Sequence, residues 1–365
     1  MIKPLTSLRF VFAVLVFLSH MWFFEDVPGI SDIHNYYFKE GFIGVSFFFI
    51  LSGFVLSYSY KDKIQSGSIR FFQFWKARFA RIYPLHFLTL LIAIPLMQYG
   101  DSVTFIKKLL LNVLLLQSFV PSDGYYLTFN AVAWSLSDEM FFYLSFPILI
   151  FIFNRKRNRW LSVLGYVTLV PIGVMLTRDV FHHALFYVNP LCRIGDFIIG
   201  MMLYRLYEQR KDIEFLNNRR LAGIAEVFAI GLLFTFIYLH EYVPLGYRYS
   251  IYYIVPMCVL VYVFAYSKGF VSDILSNKVL VSLGDASFAM YMLHVLVLRY
   301  YIELQMAYSW IPLGYTGAAI IFAITLAASI TAYKFYEMPM NKLVKKKLNS
   351  FPSVRQRVVS HISTK

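Results

Sequence analysis

The chain has 365 residues, of which 59% are hydrophobic and only 15% charged, against about a quarter charged in a soluble domain, so lipid is its main solvent. Aromatic residues make up 19%, with 37 Phe and 28 Tyr, which suits membrane helices and interfacial belts better than an outer-membrane barrel of roughly ten-residue alternating strands. The net charge of +14 argues little for nucleic acid, because the basic residues cluster between apolar runs, where they set topology and attract anionic lipid.

A spanning helix needs about 20 mainly apolar residues, and such runs lie near 5–24, 41–60, 79–98, 104–119, 132–153, 160–177, 185–207, 221–240, 247–267, 284–303 and 312–334. The first follows a single Lys and has no small-residue cleavage site, so it reads as a retained span rather than a removed signal peptide. Basic loops mark the cytoplasmic side: 61–81, 155–159 (Arg155, Lys156, Arg157, Arg159), 205–220 and the tail from Lys342. Were 104–119 a full span, 155–159 would fall outside. Placed in the outer interface as a helix opening with Lys107 and Lys108, it leaves every basic loop inside. The expectation is an all-α integral membrane bundle of about ten transmembrane helices with both termini cytoplasmic. A membrane domain covers 1–344 and a basic cytoplasmic tail 345–365. Cys192 and Cys258 fall in apolar runs and read as small hydrophobes, with no disulfide framework or metal site implied.

Ionisable groups inside spans are costly and point to function. Arg9 and His20 are eleven residues apart, close to three helical turns, and so share a face about 16 Å apart along the axis; a snorkelling Arg with a packed interface His is the structural alternative. The span opening Trp134-Ser135-Leu136-Ser137-Asp138-Glu139 and continuing through Tyr143 enters from outside, which puts Glu139 at the level of His20. A carboxylate on one imidazole nitrogen would fix the tautomer and raise the basicity of the other, as a general base requires; alternatively, Asp138 and Glu139 favour a helix N-terminus. Arg193 and Asp196, i and i+3, read first as an internal pair and second as part of an acceptor cavity. His294, with Ser287 and Tyr291 on neighbouring turns, is either a second polar wall or a hydrogen-bonded core His. Arg78 and Arg81 at a helix start can grip a phosphate or simply anchor the cytoplasmic end. Gly41, Gly44, Ser46, Ser52 and Gly53 make a small-residue helix suited to close packing or to the passage of a slender ligand.

Together these residues resemble the membrane acyltransferase family 3, whose members O-acetylate bacterial surface polysaccharides, lipopolysaccharide O-antigen, root-nodule signal oligosaccharides and some antibiotics. The resemblance runs over almost the full length. It rests on Arg9-x10-His20, on Gly44-Val45-Ser46-Phe47-Phe48-Phe49-Ile50-Leu51-Ser52-Gly53-Phe54, on Arg78-x-x-Arg81-Ile82-Tyr83-Pro84, on Trp134-Ser135-Leu136 with Glu139 and Tyr143, on Ser287-Phe288-x-x-Tyr291-x-x-His294, and on Tyr336-Glu337-x-Pro339. It implies a multi-pass enzyme of the bacterial inner membrane that takes acetyl-CoA as donor and a carbohydrate hydroxyl as acceptor, uses no metal, and stands alone without the esterase-like domain many members carry. Arg78 and Arg81 would lie near the donor's phosphates, joined by Tyr83, Ser46 and Ser52 as donor contacts, with Arg9 and His20 essential to transfer. Trp134, Asp138, Tyr143, Arg193 and His294 are the candidate acceptor contacts, and oligomeric state is not legible. The rival classes are a transporter or flippase of a lipid-linked glycan and an acyltransferase acting on a lipid or small molecule.

Overall fold

The computed structural model describes residues 2–97, 101–154, 156–210, 212 and 214–350; Arg155 of the second basic loop and the tail beyond residue 350 lie outside them. All regular structure among the described residues is helical. Twelve helices have 12 residues or more: α1 (Lys3–Ser19), α2 (Gly44–Gln65), α3 (Phe71–Ala93), α4 (Ser102–Val113), α5 (Trp134–Ile152), α6 (Lys156–Leu176), α7 (Pro190–Arg210), α8 (Arg219–Tyr238), α9 (Ile254–Ala265), α10 (Lys278–Ala307), α11 (Gly314–Ala332) and α12 (Met338–Ser350). Each apolar run of the sequence holds one of α1 to α11, and the expected domain boundary at 344 falls inside α12.

Among the described residues, six helices are long and apolar enough to cross a membrane, and a seventh is added if Asp179–Val188 and Pro190–Arg210, bent by 47°, form one span. Length and composition therefore reach six or seven, short of the ten expected. The shortfall lies in α1, which has 17 residues, and in two shorter apolar helices, Leu161–Leu176 within α6 and α9. α4 has 12 residues, about 18 Å at 1.5 Å each, well under the roughly 30 Å of a hydrocarbon core. Asp101 caps it, accepting from the amides of Val103 and Thr104 at 2.9 and 3.1 Å, which fixes its start. Val103, Ile106 and Leu110 are exposed on one of its faces.

Small residues set how closely the main helices approach. A Cβ on Gly284 of α10 would lie 2.0 Å from the Thr6 carbonyl oxygen of α1, and Cβ atoms on Gly53 and Gly200 would lie 2.0 and 1.9 Å from carbonyl oxygens of Phe197 and Ile50, so α2 and α7 are in backbone contact. α1 and α10 run parallel, since Thr6 meets Gly284 and, further along both, His20 meets His294. α2 and α7 also run parallel: Arg193 reaches Ser46, Phe54 packs on Tyr204, and Lys61 pairs with Glu208. Before α5 begins, residues 114–133 fold back into the bundle as short turns. Gln117 donates to the Ala133 carbonyl at 3.0 Å and Asn130 to the Met292 carbonyl at 2.8 Å, which satisfies polar groups that lipid could not.

Candidate active site

α1, α2, α3, α5 and α10 surround a cleft of about 890 Å³, continuous with solvent. Part of its lining is cationic. Arg9 of α1 and Arg78 and Arg81 of α3 line it, opposite Glu139 and Tyr143 of α5 and Ser52 of α2. Glu139 and Glu337 are the carboxylates acting on Arg9. Arg81 forms an ion pair with Glu337, which is almost fully buried in the widened turn Tyr333–Glu337. Next to it, the Tyr336 hydroxyl donates to the Pro84 carbonyl at 3.2 Å. The Tyr336-Glu337 motif is thus a clasp on the Arg81-to-Pro84 motif. Arg78 donates to the Tyr60 hydroxyl at 3.1 Å, while its buried Nε has no protein partner. Three guanidinium groups face Glu139 and Glu337 here, Asp285 lies close enough to act on Glu337, and Lys345 of α12 adds its field to Arg78 and Arg81.

Ser135 and Tyr291 also line the cleft. Ser135 donates to the Tyr291 hydroxyl at 2.8 Å and lies 3.0 Å from the Val132 carbonyl. One turn beyond Tyr291, His294 is fully buried. Its Nδ1 lies 2.7 Å from the Tyr291 carbonyl and 3.2 Å from that of Met290, and its ring meets His20 edge-on at 4.9 Å. His20 in turn places Nδ1 2.8 Å from the Val16 carbonyl. A carbonyl only accepts, so both rings carry a proton on Nδ1, and in the neutral form of each Nε2 is unprotonated, an assignment made from the hydrogen-bond partners.

Residues 4–333 match the acyltransferase domain family. The chain belongs to that family. It is 30% identical to acyltransferase MdmB of Streptomyces mycarofaciens over 82% of this chain and 79% of that one. It is 25% identical to O-acetyltransferase OatA of Staphylococcus aureus strain NCTC 8325 / PS 47 over 86% of this chain and 55% of the relative. A putative O-acetyltransferase of Staphylococcus aureus strain COL is 23% identical over 89% and 56%. The chain therefore spans little more than half the length of the staphylococcal relatives. No solved structure matches it. The protein is an O-acyltransferase and a multi-pass membrane protein.

In this acyltransferase the cleft gathers Arg9, Ser52, Arg78, Arg81, Glu139 and Tyr143. The hydrogen bond expected between His20 and Glu139 is not made: His20 turns to Val16 and His294, and Glu139 to Arg9 and Tyr143. The cause is depth. Because residues 114–133 enter the bundle first, α5 starts with Ser135 already level with Tyr291. Glu139 lies one turn deeper and His294 one turn shallower, together about seven residues or 10 Å of helix. A backbone carbonyl sets the tautomer in place of the carboxylate.

His20 and His294 do not line the cleft, and neither do Arg193, Asp196, Ser46, Tyr83, Trp134 and Asp138. Arg193 and Asp196 are completely buried and paired at 2.8 Å; Arg193 also donates to Ser46 at 2.8 Å and to the Tyr249 carbonyl at 2.6 Å, and Tyr166 donates to Asp196 at 2.9 Å. This is the internal pair, with Ser46 as its partner rather than a wall of the cleft. The Tyr83 hydroxyl donates to the Val113 carbonyl at 3.1 Å, which holds it toward α4. Trp134 packs on Tyr187 with ring centroids 4.8 Å apart, and Asp138 is buried beside Ser118. Sequence reasoning gave no site role to Glu337, although an acid just before the basic Lys342–Lys347 stretch is a readable signal for a cation partner.

Proposed function

We propose that the acyltransferase moves an acetyl group from cytoplasmic acetyl-CoA to a hydroxyl of an extracytoplasmic carbohydrate, working in a bacterial inner membrane through ten spans with both termini cytoplasmic. The observation that carries this reading is the separation of two chemistries along α1. Arg9 stands in the cation cluster of the cleft, and His20, about 16 Å further along the helix, meets His294. The arm of CoA from its phosphate to the acyl carbon is about fourteen bonds long. At roughly 3.5 Å per three bonds, as in an extended polypeptide, it also spans about 16 Å. With a phosphate gripped by Arg78 and Arg81 beside Arg9, the arm would be long enough to bring the thioester to His20, while the charged nucleotide stays at the cytoplasmic mouth.

Helix direction supports the span count. Counting α4 as a crossing would put eight spans between α1 and α10 and make them antiparallel. Leaving it in the interface gives seven and makes them parallel, as they are; α2 and α7 obey the same parity. On the acceptor side, the rings of Trp134, Tyr187, Tyr249 and His183 pack on one another as a contiguous aromatic cluster.

In the proposed reaction, Nε2 of His20 takes the proton of the acceptor hydroxyl as its oxygen attacks the thioester carbonyl. The C–S bond breaks, and the departing thiolate recovers the proton from His20. Glu139 serves the donor end, holding Arg9. A positioned base contributes roughly 10² to 10⁴ in rate, so His20→Ala at equal membrane abundance should lower the O-acetyl content of the extracted surface glycan by that order. Ester levels matching the wild type would remove His20 from the centre, and esters in neither strain would overturn the glycan acceptor. A transporter has no need of the family's enzymatic relatives, and hydrolysis or transfer of the donor by purified protein separates that rival.

A further inference from the structure

Ser287 of α10 lines the cleft, is fully buried, and its hydroxyl bonds to no protein group. The nearby hydroxyls are engaged: Ser135 bonds Tyr291 and Val132, and Tyr291 bonds Ser135 and Val132. A buried hydroxyl without a partner is less favourable than an alanine in its place, so the free fold gains nothing from this serine. Its depth is fixed by the helix pair. Thr6 of α1 and Gly284 of α10 touch, and three residues further along these parallel helices come Arg9 and Ser287. Ser287 therefore sits near the cation cluster and about 10 Å along α10 from His294, where it faces the phosphate half of a bound arm rather than the thioester.

We propose that Ser287 is a donor-binding residue that hydrogen-bonds the pantoyl and adjoining amide end of acyl-CoA, and so makes the enzyme prefer acyl-CoA to thioesters lacking that end. Its neighbour supports this chemistry. Phe288 lines the same cleft under the Arg81 guanidinium, 5.7 Å from the ring centroid. This pairs an apolar surface for the pantoyl dimethyl group with a cation for the phosphate. The proposal rests on reading the cleft as the donor site.

The test uses the purified full-length protein in lipid nanodiscs with two donors, acetyl-CoA and S-acetyl-N-acetylcysteamine; the second carries the same thioester without the pantoyl end. Thiol release gives KM for each, in the wild type and in Ser287→Ala. The ratio of KM for acetyl-CoA to KM for the short donor should rise roughly three- to tenfold in the variant, the usual worth of one such hydrogen bond, with a melting temperature no lower than wild type. An unchanged ratio overturns the proposal, as does a lowered melting temperature with equal losses on both donors, which is the mark of a structural residue. Wild-type protein that releases no thiol from acetyl-CoA would overturn the donor-site reading itself, a failure visible before any variant is compared.

Discussion

The contact between α1 and α10 offers a sharp perturbation. A methyl group added by Gly284→Ala would stand 2.0 Å from the Thr6 carbonyl oxygen and 2.5 Å from its carbon, where Cβ contacts under 3.0 Å essentially never occur. The obstacle is backbone and cannot rotate away, so the helices must part by about 1 Å. Overpacking of this kind costs about 1–3 kcal/mol. The same movement carried ten residues along a stiff helix shifts His294 against His20, and a misplacement of about 1 Å at a reacting centre costs on the order of a hundredfold in rate. The expected result is a lower melting temperature together with a ten- to hundredfold fall in transfer from acetyl-CoA, both measured on purified protein. Gly231→Ala in α8 is the control, because a Cβ there meets nothing within 4 Å, and it should gain up to about 1 kcal/mol from helix propensity. A Gly284→Ala protein that melts and turns over like the wild type would refute the claim that this contact sets the register of the two histidines.

Two other substitutions probe the charges. Asp196→Ala strands the Arg193 guanidinium where it is wholly buried, which should cost about 3–5 kcal/mol and be read as loss of the monodisperse peak in fluorescence-detected size exclusion; an undiminished peak would mean that Arg193 has another counter-charge. Joint replacement of Arg78 and Arg81 by Ala should raise KM for acetyl-CoA by about ten- to a hundredfold, the worth of hydrogen bonds to a charged group. Equal KM would remove the phosphate role.

The sequence carried the helices well because apolar runs of spanning length are a one-dimensional signal, and the Arg193–Asp196 pair because both partners sit on one turn. Arg9, Arg78 and Arg81 could be singled out as buried or helix-start cations, although nothing in their spacing says they share a cleft. What failed was depth and facing. Periodicity tells which residues share a face of their own helix, but the level of Glu139 depends on how far residues 114–133 carry the chain inward before α5 starts, and that is set by buried bonds such as Asn130 to Met292. Ser46 and Ser52 are six residues apart in one helix and so point different ways, one to Arg193 and the other into the cleft. Ser287 drew notice only as a neighbour of His294, since a lone serine in a span has no signature until its missing partner is seen.

Val16, whose carbonyl orients His20, is among the last four residues of α1, where a helix has carbonyls left over. A peptide group brings no charge, so on the proposed route the imidazolium has no permanent counter-ion and is only a passing state. The hydrogen taken from the sugar leaves on sulfur toward the cytoplasm as the acetyl group goes outward. Two neutral groups change sides in each cycle, and the voltage across the membrane neither drives nor opposes the exchange.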